Sequence, residues 1–567
     1  MDKIKTVKIK NPDGSISEET YTISIDARNV DMDNGKDLQD TVGIINVDTD
    51  GSISEQLSNL NEDTTNLNID IKKKAYFFNT VADMKNASLK NGDYVYTLGF
   101  HEINDGGASS YQIIRDTDIT FIDEKSIIKI NNSNLVAILN IDKDSVVPEQ
   151  FGAYGDNSHD DVEAIQACID YAVAHHYEIN LLRKTYKVNS SIILRNNNPN
   201  INGNNGKIYS DYTGRIITMA SGTRLLDCTI QNLTIQGNDS TNGDNVGLYF
   251  IGYHSLFKNI NVSHCAIGIK SDTAGFSANL VGNFFEDIQI RYCNTYSMYI
   301  SGNNKSTDYY ISNCVFGGNV SQCHLYCGSA IGYKINNIHV WGDCPVAFRF
   351  SDTGRTFISG VYLEGYNNTA FSFHLARDLE ISNFTIKTTN SNTTVFNIPQ
   401  SAANYPKSVS MSNIYIDNGN ELENITLFSG DNMAPVNVNL SNFVVMGTSK
   451  YIYKQSTNTS LSIKDNTFKI FANTSIDFTK YPTLLSFLTS REIVFPNSRA
   501  VISGYRYQGY FSDMPTMSEG QFTLTIDYGQ NVTYSSFELF NHSANVKNLW
   551  KGYYDGTEIK WIKIQYQ

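Results

Sequence analysis

One hydrophobic pattern returns many times along the central half of the chain. It consists of an asparagine, an apolar residue, a variable residue and a second apolar residue. Nine copies begin at Asn232, Asn259, Asp287, Asn313, Asn337, Gly360, Asn383, Asn413 and Asn442. Successive copies are 23 to 30 residues apart, and repetition at this interval predicts a solenoid of stacked coils rather than a sandwich.

Within each copy the apolar residues alternate with variable ones, which is the period of a β-strand. A second apolar pair often follows a few residues later, as in Ile267 and Ile269 or Phe348 and Phe350. Several strands per coil with no helix between them predict an all-β fold, a parallel β-helix. Six residues are expected in one buried column: Ile260, Ile288, Ile338, Val361, Phe384 and Ile414. The recurring asparagines predict a ladder of side chains hydrogen-bonded between coils.

The segments that flank the repeat predict further units. Residues 1–50 hold short alternating stretches and turn signals, which indicate a small β module. Residues 51–74 carry Ile53, Leu57, Leu60, Thr64, Leu67 and Ile71. This a/d spacing predicts a short coiled coil that makes the protein oligomeric, and a single amphipathic helix on a neighbour is the alternative. We expect a small β module at 75–146, a β-helix with an N-terminal cap helix at 147–458, and a C-terminal β-sandwich at 459–567.

Composition and charge narrow the function classes. The 567 residues carry a formal net charge of −14, which argues against nucleic acid as a partner because phosphate binding needs a basic surface. No run of 18 apolar residues is present, so we expect no membrane span. The eight cysteines form no Cys-x-x-Cys pair, so we expect no metal site and no cofactor. Cys265 and Cys293 share one offset in their coils, and we expect them to stack as buried thiols rather than pair.

Chemistry is expected on the outward positions of the repeat. If the apolar positions face inward, one outer strip collects Arg291, His339, Trp341, Tyr362, Glu364 and Lys387. Aromatic planes beside charged hydrogen-bonding groups suit sugar rings, so these residues are candidates for substrate binding. Glu364 is the first catalytic candidate, with a pKa lowered by Lys387, and Asp343 or Asp352 could be its acid partner. A Glu364–Lys387 surface salt bridge is the alternative interpretation.

Three segments resemble bacteriophage tail proteins. The segment Phe151-Gly-Ala-Tyr-Gly-Asp156 with Asp160-Asp-Val-Glu-Ala-Ile-Gln166 resembles the N-terminal cap of pectate-lyase-like right-handed β-helices in phage tailspikes. Its Asp160–Asp161 pair could cap the following helix or form a catalytic dyad. Residues 89–107 are similar to a module that precedes this cap, and 27–38 to the attachment region of Gram-positive phage tail proteins. The Pro-x-Gly-x-Tyr turn usual after such caps is replaced by Arg183-Lys-Thr-Tyr186.

The resemblance implies a homotrimeric tailspike, or receptor-binding tail protein, that docks on a host surface glycan. It also implies contacts with phage tail or baseplate proteins through the N-terminus. The location would be the virion tail. Because the first residues lack a secretory signal, the protein would leave the host cell by lysis. Two other functions stay open: a depolymerase that cleaves the glycan as hydrolase or lyase, and a non-catalytic structural tail component.

Overall fold

The structure is a computed structural model. It describes residues 6–10, 16–20, 75–195, 199–220, 222, 224–273, 280–374, 377–398, 407–417, 426–429, 436–447, 461–465, 468–472, 483–489, 498–505, 512–515, 521–528, 535–543 and 546–564. The chain divides into two compact units, 1–74 and 75–567. In the first unit, strands β1 (Thr6–Lys10) and β2 (Ile16–Thr20) form an antiparallel pair. The expected coiled coil at 51–74 lies outside the described residues and stays a prediction, as does the attachment role of 1–50.

The second unit begins with a small β module, as expected from residue 75. Its helix α1 (Val81–Lys85) starts at Thr80. The Thr80 side chain accepts a hydrogen bond from the backbone N–H of Asp83, and the Asp83 side chain accepts one from the backbone N–H of Thr80. Its sheet has the order β3–β4–β5–β7–β6, with β3 and β4 parallel and the other neighbours antiparallel. The strands are β3 (Ala75–Phe78), β4 (Tyr94–Thr97), β5 (Ser109–Arg115), β6 (Ile127–Lys129) and β7 (Leu135–Asn140).

A helix then packs across the first strands of the solenoid. The elements are β8 (Ser145–Val146), β9 (Asp156–Asp160), α2 (Val162–His175), β10 (Glu178–Asn180), β11 (Thr185–Val188) and β12 (Ile192–Leu194). Helix α2 buries Ile165, Cys168 and Ile169, and it contacts β8, β10 and β12. This is the expected cap helix over one end of the β-helix.

The Asp160–Asp161 pair has structural partners. The buried Asp161 carboxylate accepts hydrogen bonds from the backbone N–H groups of Tyr154 (2.7 Å) and Gly155 (3.0 Å). The Asp160 carboxylate accepts from the N–H of Val162 at 3.3 Å and of Asn189 at 3.1 Å. Of the two alternatives for this pair, these contacts favour the structural one: Asp160 binds the first turn of α2, and Asp161 holds the loop before β9.

The coils of the solenoid contribute strands to three parallel faces. Sheet A comes before the asparagine position, sheet B directly after it, and sheet C after the next turn. The strands are β13 (Asn200–Ser210), β14 (Ile217–Met219), β15 (Leu225–Leu226), β16 (Thr229–Gln236), β17 (Val246–Tyr249), β18 (Gly252–Tyr253), β19 (Leu256–Ser263), β20 (Ile267–Asp272), β21 (Leu280–Glu286), β22 (Gln289–Arg291), β23 (Tyr296–Gly317), β24 (Cys323–Trp341), β25 (Val346–Ser351), β26 (Gly354–Glu364), β27 (Thr369–His374), β28 (Arg377–Lys387), β29 (Thr394–Asn397), β30 (Lys407–Asp417), β31 (Thr426–Ser429), β32 (Val436–Gly447), β33 (Leu461–Asp465) and β34 (Phe468–Ala472). All nine copies of the sequence pattern occupy successive coils in register.

The asparagine position is a bend that joins sheet A to sheet B. Residues there have positive φ, from 50° at Asn259 to 66° at Gly360, a conformation that asparagine and glycine tolerate best. The expected ladder is present: Asn337 Nδ2 donates to Asn313 Oδ1 at 2.8 Å, and Asn413 Nδ2 donates to Asn383 Oδ1 at 3.1 Å. The ladder therefore satisfies polar side chains at the corner where each strand turns.

The inward residues of sheet B form the expected column. Ile260, Ile288, Ile338, Val361, Phe384 and Ile414 are all buried. Ile338 pairs with Val361, Val361 with Phe384, and Phe384 with Ile414 on successive coils. All eight cysteines are buried and free, and this confirms the expectation for Cys265 and Cys293. Burial of this kind is the main favourable term in holding the stack together.

The parallel pairing continues past residue 458, where the β-helix was expected to end. Strands β33 and β34 pair in parallel with β32, and β35 (Ser498–Tyr505) pairs in parallel with β34. The chain then forms an antiparallel meander of β35, β36 (Gln521–Tyr528), β37 (Ser536–Ser543), β38 (Val546–Tyr554) and β39 (Ile559–Ile564), with helix α3 at Leu484–Thr489. Among the described residues the strands of this C-terminal part belong to the same sheet as the solenoid, and the sandwich expected at 459–567 stays a prediction. No helix in the described ranges is long and apolar enough to cross a membrane.

Candidate functional site

The six residues of the outer strip lie on sheet B. Arg291, Gly317, Trp341, Glu364 and Lys387 pair in this order across five successive coils, and His339 pairs with Tyr362 beside them. Neighbouring strands of a sheet are roughly 4.8 Å apart, so the strip is roughly 19 Å long. The alternation read from the sequence thus places these side chains on one face.

Glu364 is the centre of a polar cluster within the strip. Its Oε1 accepts a hydrogen bond from the Tyr362 hydroxyl at 2.5 Å, and its Oε2 lies 3.2 Å from His339 Nε2. The rings of His339 and Tyr362 stack with centroids 5.1 Å apart. One carboxylate therefore fixes the orientation of two aromatic rings on adjacent coils.

The electrostatics of this cluster keep Glu364 ionised. The hydrogen bond from Tyr362 is the largest cause that lowers the pKa of Glu364, and His339 and Lys387 lower it further. The same hydrogen bond raises the pKa of the Tyr362 phenol, because the phenolate would face a carboxylate. The expected lowering of the pKa by Lys387 is present, but Tyr362 is the principal cause. A carboxylate in this state can accept protons or bind hydroxyls, and it is poorly suited to act as an acid.

The salt-bridge interpretation of Glu364 and Lys387 does not describe their contact. Within the described ranges the side chain from a neighbouring coil that contacts the Glu364 carboxylate is His339, and Lys387 acts on Glu364 at longer range. Lys387 is exposed at the end of β28, where it pairs in register with Asp417. Lys387 thus supplies an accessible positive charge one coil from Glu364.

The Trp341 indole lies over Gly317 of the preceding coil, which has no side chain. A Cβ atom added to Gly317 would lie 2.2 Å from Cε2 of the Trp341 ring, so only glycine leaves room for the indole there. Tyr292 meets the ring edge-on, with centroids 5.9 Å apart and planes at 76°, and it is 51% exposed. Its other neighbour is His264, whose ring stacks on it at 5.7 Å.

Tyr292 and His264 are site residues that the sequence analysis missed. Both follow a strand of sheet B, and both have positive φ. The alternation of the repeat predicts outward residues only within the strands, and these two residues follow a strand. Gly317 could have indicated space for aromatic rings here, because it has no side chain at an outward position directly beside Trp341.

The structure does not bring the other predicted acids to Glu364. The Asp352 carboxylate accepts from Arg377 Nη2 at 3.2 Å and lies before β26, so the whole of that bent strand separates it from Glu364. Asp343 is exposed in the turn after β24, where its backbone N–H donates to Asn319. Among the described residues neither forms a hydrogen bond or ion pair with the Glu364 cluster. The two-carboxylate arrangement of glycoside hydrolysis is therefore not assembled by Glu364 and Asp352.

Arg291 is at the far end of the strip. Its guanidinium is exposed and donates from Nη2 to Gln289 Oε1 at 2.8 Å. Gly317 separates it from Trp341 in the register. The strip therefore places an arginine, an aromatic platform, the Glu364 cluster and a lysine in sequence along the long axis of the solenoid.

Comparisons with known proteins find similar solved structures. No protein-family model and no curated protein matches the chain. The tailspike gp42 of Acinetobacter phage vb_AbaP_AS12 is similar over 87% of this chain and 94% of its own, with 13% identity and a TM-score of 0.46. The tailspike gp49 of Acinetobacter baumannii bacteriophage Fri1, described as a capsular polysaccharide depolymerase, covers 87% of this chain and 91% of its own, with 10% identity and a TM-score of 0.44. The tailspike of Acinetobacter phage vB_ApiP_P1 covers 86% and 90%, with 13% identity and a TM-score of 0.42. Tailspikes are thus among the solved structures that this chain is similar to.

Proposed function

We propose that this protein is a phage tailspike that binds a host cell-surface glycan along the outer strip. The observation that supports it is the indole of Trp341, seated over Gly317 and beside the exposed ring of Tyr292. Aromatic faces pack against the C–H faces of sugars, and charged groups at their edges bind the hydroxyls. Glu364, Lys387 and Arg291 supply such groups above and below the indole. The strip is long enough for three to five sugar units lying along the solenoid.

The assembly proposed for this spike is a homotrimer. The a/d seam from Ile53 to Ile71 provides the contact, and residues 1–50 would attach the protein to the phage tail or baseplate. The expected mass of the trimer is three times 63.4 kDa, about 190 kDa. Light scattering on the full chain checks this, and a mass of 63 kDa would contradict it.

Substitution of Trp341 tests the binding surface. We expect Trp341→Ala to weaken binding by roughly 1 to 3 kcal/mol, because stacking area is lost. The ligand in this experiment is polysaccharide extracted from a bacterial strain to which the parent protein adsorbs. Phe357→Ala is the matched control, since Phe357 is an exposed aromatic residue on sheet A of the same coils. Equal loss in both variants, or normal adsorption by Trp341→Ala, would contradict the proposal.

The second candidate function is cleavage of the bound glycan, and the Glu364 cluster favours it. An ionised carboxylate bonded to both an imidazole and a phenol is an arrangement that can accept and relay a proton at the sugar. For a lyase, a base of this kind would remove the proton next to a uronate carboxylate, with Lys387 as the nearby positive charge.

Cleavage and binding are separable by one substitution. If the parent releases new reducing ends or unsaturated uronates from the polysaccharide, we expect Glu364→Gln to abolish turnover and retain most of the binding, because the amide cannot ionise. Turnover that survives in Glu364→Gln would exclude this cluster as the catalytic site. If the parent binds the glycan and shows no turnover, receptor binding is the remaining function. Normal adsorption in every strip variant would favour a structural tail component.

A further inference from the structure

A second outward column runs along sheet C, on a different face from the outer strip. Tyr249, Lys270, Tyr299, Tyr326 and Arg349 occupy one register position on five successive coils. We call this column the tyrosine track. It is roughly 19 Å long at roughly 4.8 Å per coil.

The aromatic side chains of the track form a continuous surface. The rings of Tyr299 and Tyr326 are nearly parallel, at 6°, with centroids 4.5 Å apart. Tyr296 meets Tyr299 edge-on at 5.1 Å. All three tyrosines are partly exposed, so their outer parts provide an aromatic surface.

Positively charged side chains lie beside several of these rings. The Arg215 guanidinium lies 3.7 Å from the centroid of the Tyr249 ring, and Lys270 Nζ lies 5.5 Å from that of Tyr299. Arg349 continues the column next to Tyr326. Both kinds of contact are cation–π arrangements, which hold the charges over the rings and leave their other donors available.

The carboxylates near the track do not balance these charges. Lys270 Nζ is 3.9 Å from an Asp272 oxygen. Within the described ranges Arg215 and Arg349 form no ion pair with a carboxylate. In a chain with a net charge of −14, this column holds two cations, Lys270 and Arg349, and Arg215 adds a third against the Tyr249 ring.

We propose that the tyrosine track is a second binding site, specific for a glycan that carries negative charge along its chain. Flat rings pack against sugar faces, and Lys270 and Arg349, three coils or roughly 14 Å apart, are placed to bind negative charges repeated along a glycan chain. A neutral glycan would leave the cations without an anionic partner. The site is separate from the outer strip, so it adds to the proposed function and does not depend on it.

Binding to defined polymers tests this site. The probes are oligogalacturonate, with carboxylates, poly(glycerol phosphate), with phosphates, and dextran as the neutral polymer. We expect the full-length parent to bind at least one anionic probe tenfold more tightly than dextran, and its affinity to fall as salt rises. The Lys270→Gln/Arg349→Gln double variant should lose at least tenfold in affinity for that probe, and Tyr299→Leu should lose severalfold.

Two controls keep the outcome specific. Lys551→Gln removes an exposed lysine of the C-terminal sheet and should retain the parent's affinity for the anionic probe. Trp341→Ala disables the outer strip and reports whether the probe binds there instead. Thermal melting of every variant checks that the fold is retained. Absence of binding to both anionic probes would overturn the proposal, as would equal affinity for dextran or unchanged affinity in the double variant. If only Trp341→Ala loses the probe, the ligand binds the outer strip and the tyrosine track is not a site.

Discussion

The inner and outer residues of sheet B follow from different physical constraints, although they alternate on the same strands. On β24 and β26 the inner residues Ile338 and Val361 are at most 2% exposed, whereas Tyr362, next to Val361, is 41% exposed. Burial permits only apolar side chains of suitable volume at the inner positions. The outer positions permit many side chains, so the fold does not require the aromatic and charged residues collected there.

The sharpest test of this contrast places a charge on the inner face. We expect Ile338→Asp to destabilise the solenoid by several kcal/mol, because the buried carboxylate has no partner. The neighbouring outer change His339→Asp should alter the melting temperature little. Thermal unfolding measures both, and similar melting of parent and Ile338→Asp would contradict the assigned inner column.

A polar inner residue gives the second test. His324 is buried on β24, its Nδ1 lies 2.9 Å from Ser297 Oγ, and burial lowers its pKa to about 4. Above the usual histidine pKa of about 6.5 it is neutral in both folded and unfolded chains, so its full contribution is present. As the pH falls from about 6.5 to 4 the unfolded chain binds the proton first, and stability decreases by about 3 kcal/mol.

His324→Gln should remove that part of the pH dependence. We expect its melting temperature to fall less than the parent's between pH 7 and pH 4.5. Outer His339, which is partly exposed beside Glu364, serves as the matched control in His339→Gln. Equal slopes for the parent and His324→Gln would show that the buried imidazole does not govern acid stability.

The corner between the two sheets gives a smaller expected effect. Asn337→Ala should cost roughly 1 to 2 kcal/mol, because it removes the 2.8 Å bond to Asn313 and places alanine at a φ of 54°. Asn337→Gly loses the same bond without the conformational cost, so it should be less destabilising. Chemical denaturation separates the two, and a glycine variant less stable than the alanine variant would contradict the role of the backbone here.

The smallest effect is expected on the outer face. Gly317→Ala puts a methyl group where the Trp341 ring lies, so the indole must move, and binding to the extracted polysaccharide should weaken severalfold. The melting temperature should change little because the indole is partly exposed. Gly243→Ala, at a position with no atom within 4 Å of an added Cβ, is the control. Unaltered affinity in Gly317→Ala would show that the position of the Trp341 ring does not affect glycan binding.

The same contrast explains which features could be predicted from the sequence. The inner column, the asparagine ladder and the face occupied by the outer strip follow from strand period and from the positive φ at the corner, and the structure contains all three. These features depend on the backbone and on burial, and both leave a regular pattern in the residues.

The contacts of the outer side chains could not be read in this way. Tyr362 rather than Lys387 has the largest effect on Glu364, since exposed rotamers are chosen by local hydrogen bonds that leave no periodic signal. Tyr292 lies in a turn, and turns vary in length between coils. The tyrosine track was not anticipated because the distance from the asparagine to sheet C changes from coil to coil, so its members fall at no fixed sequence interval.

Helix α2 has a kinetic consequence for the whole stack. In a solenoid each coil contacts only its neighbours, so an interior coil cannot leave unless an adjacent one has already gone. Fraying must therefore start at a terminus, and α2 closes one terminus by packing across β8, β10 and β12. Loss of this helix would turn a closed end into an open one from which unfolding can propagate. At this end of the stack, the start of unfolding then depends on the detachment of a single 14-residue helix rather than on the number of coils behind it.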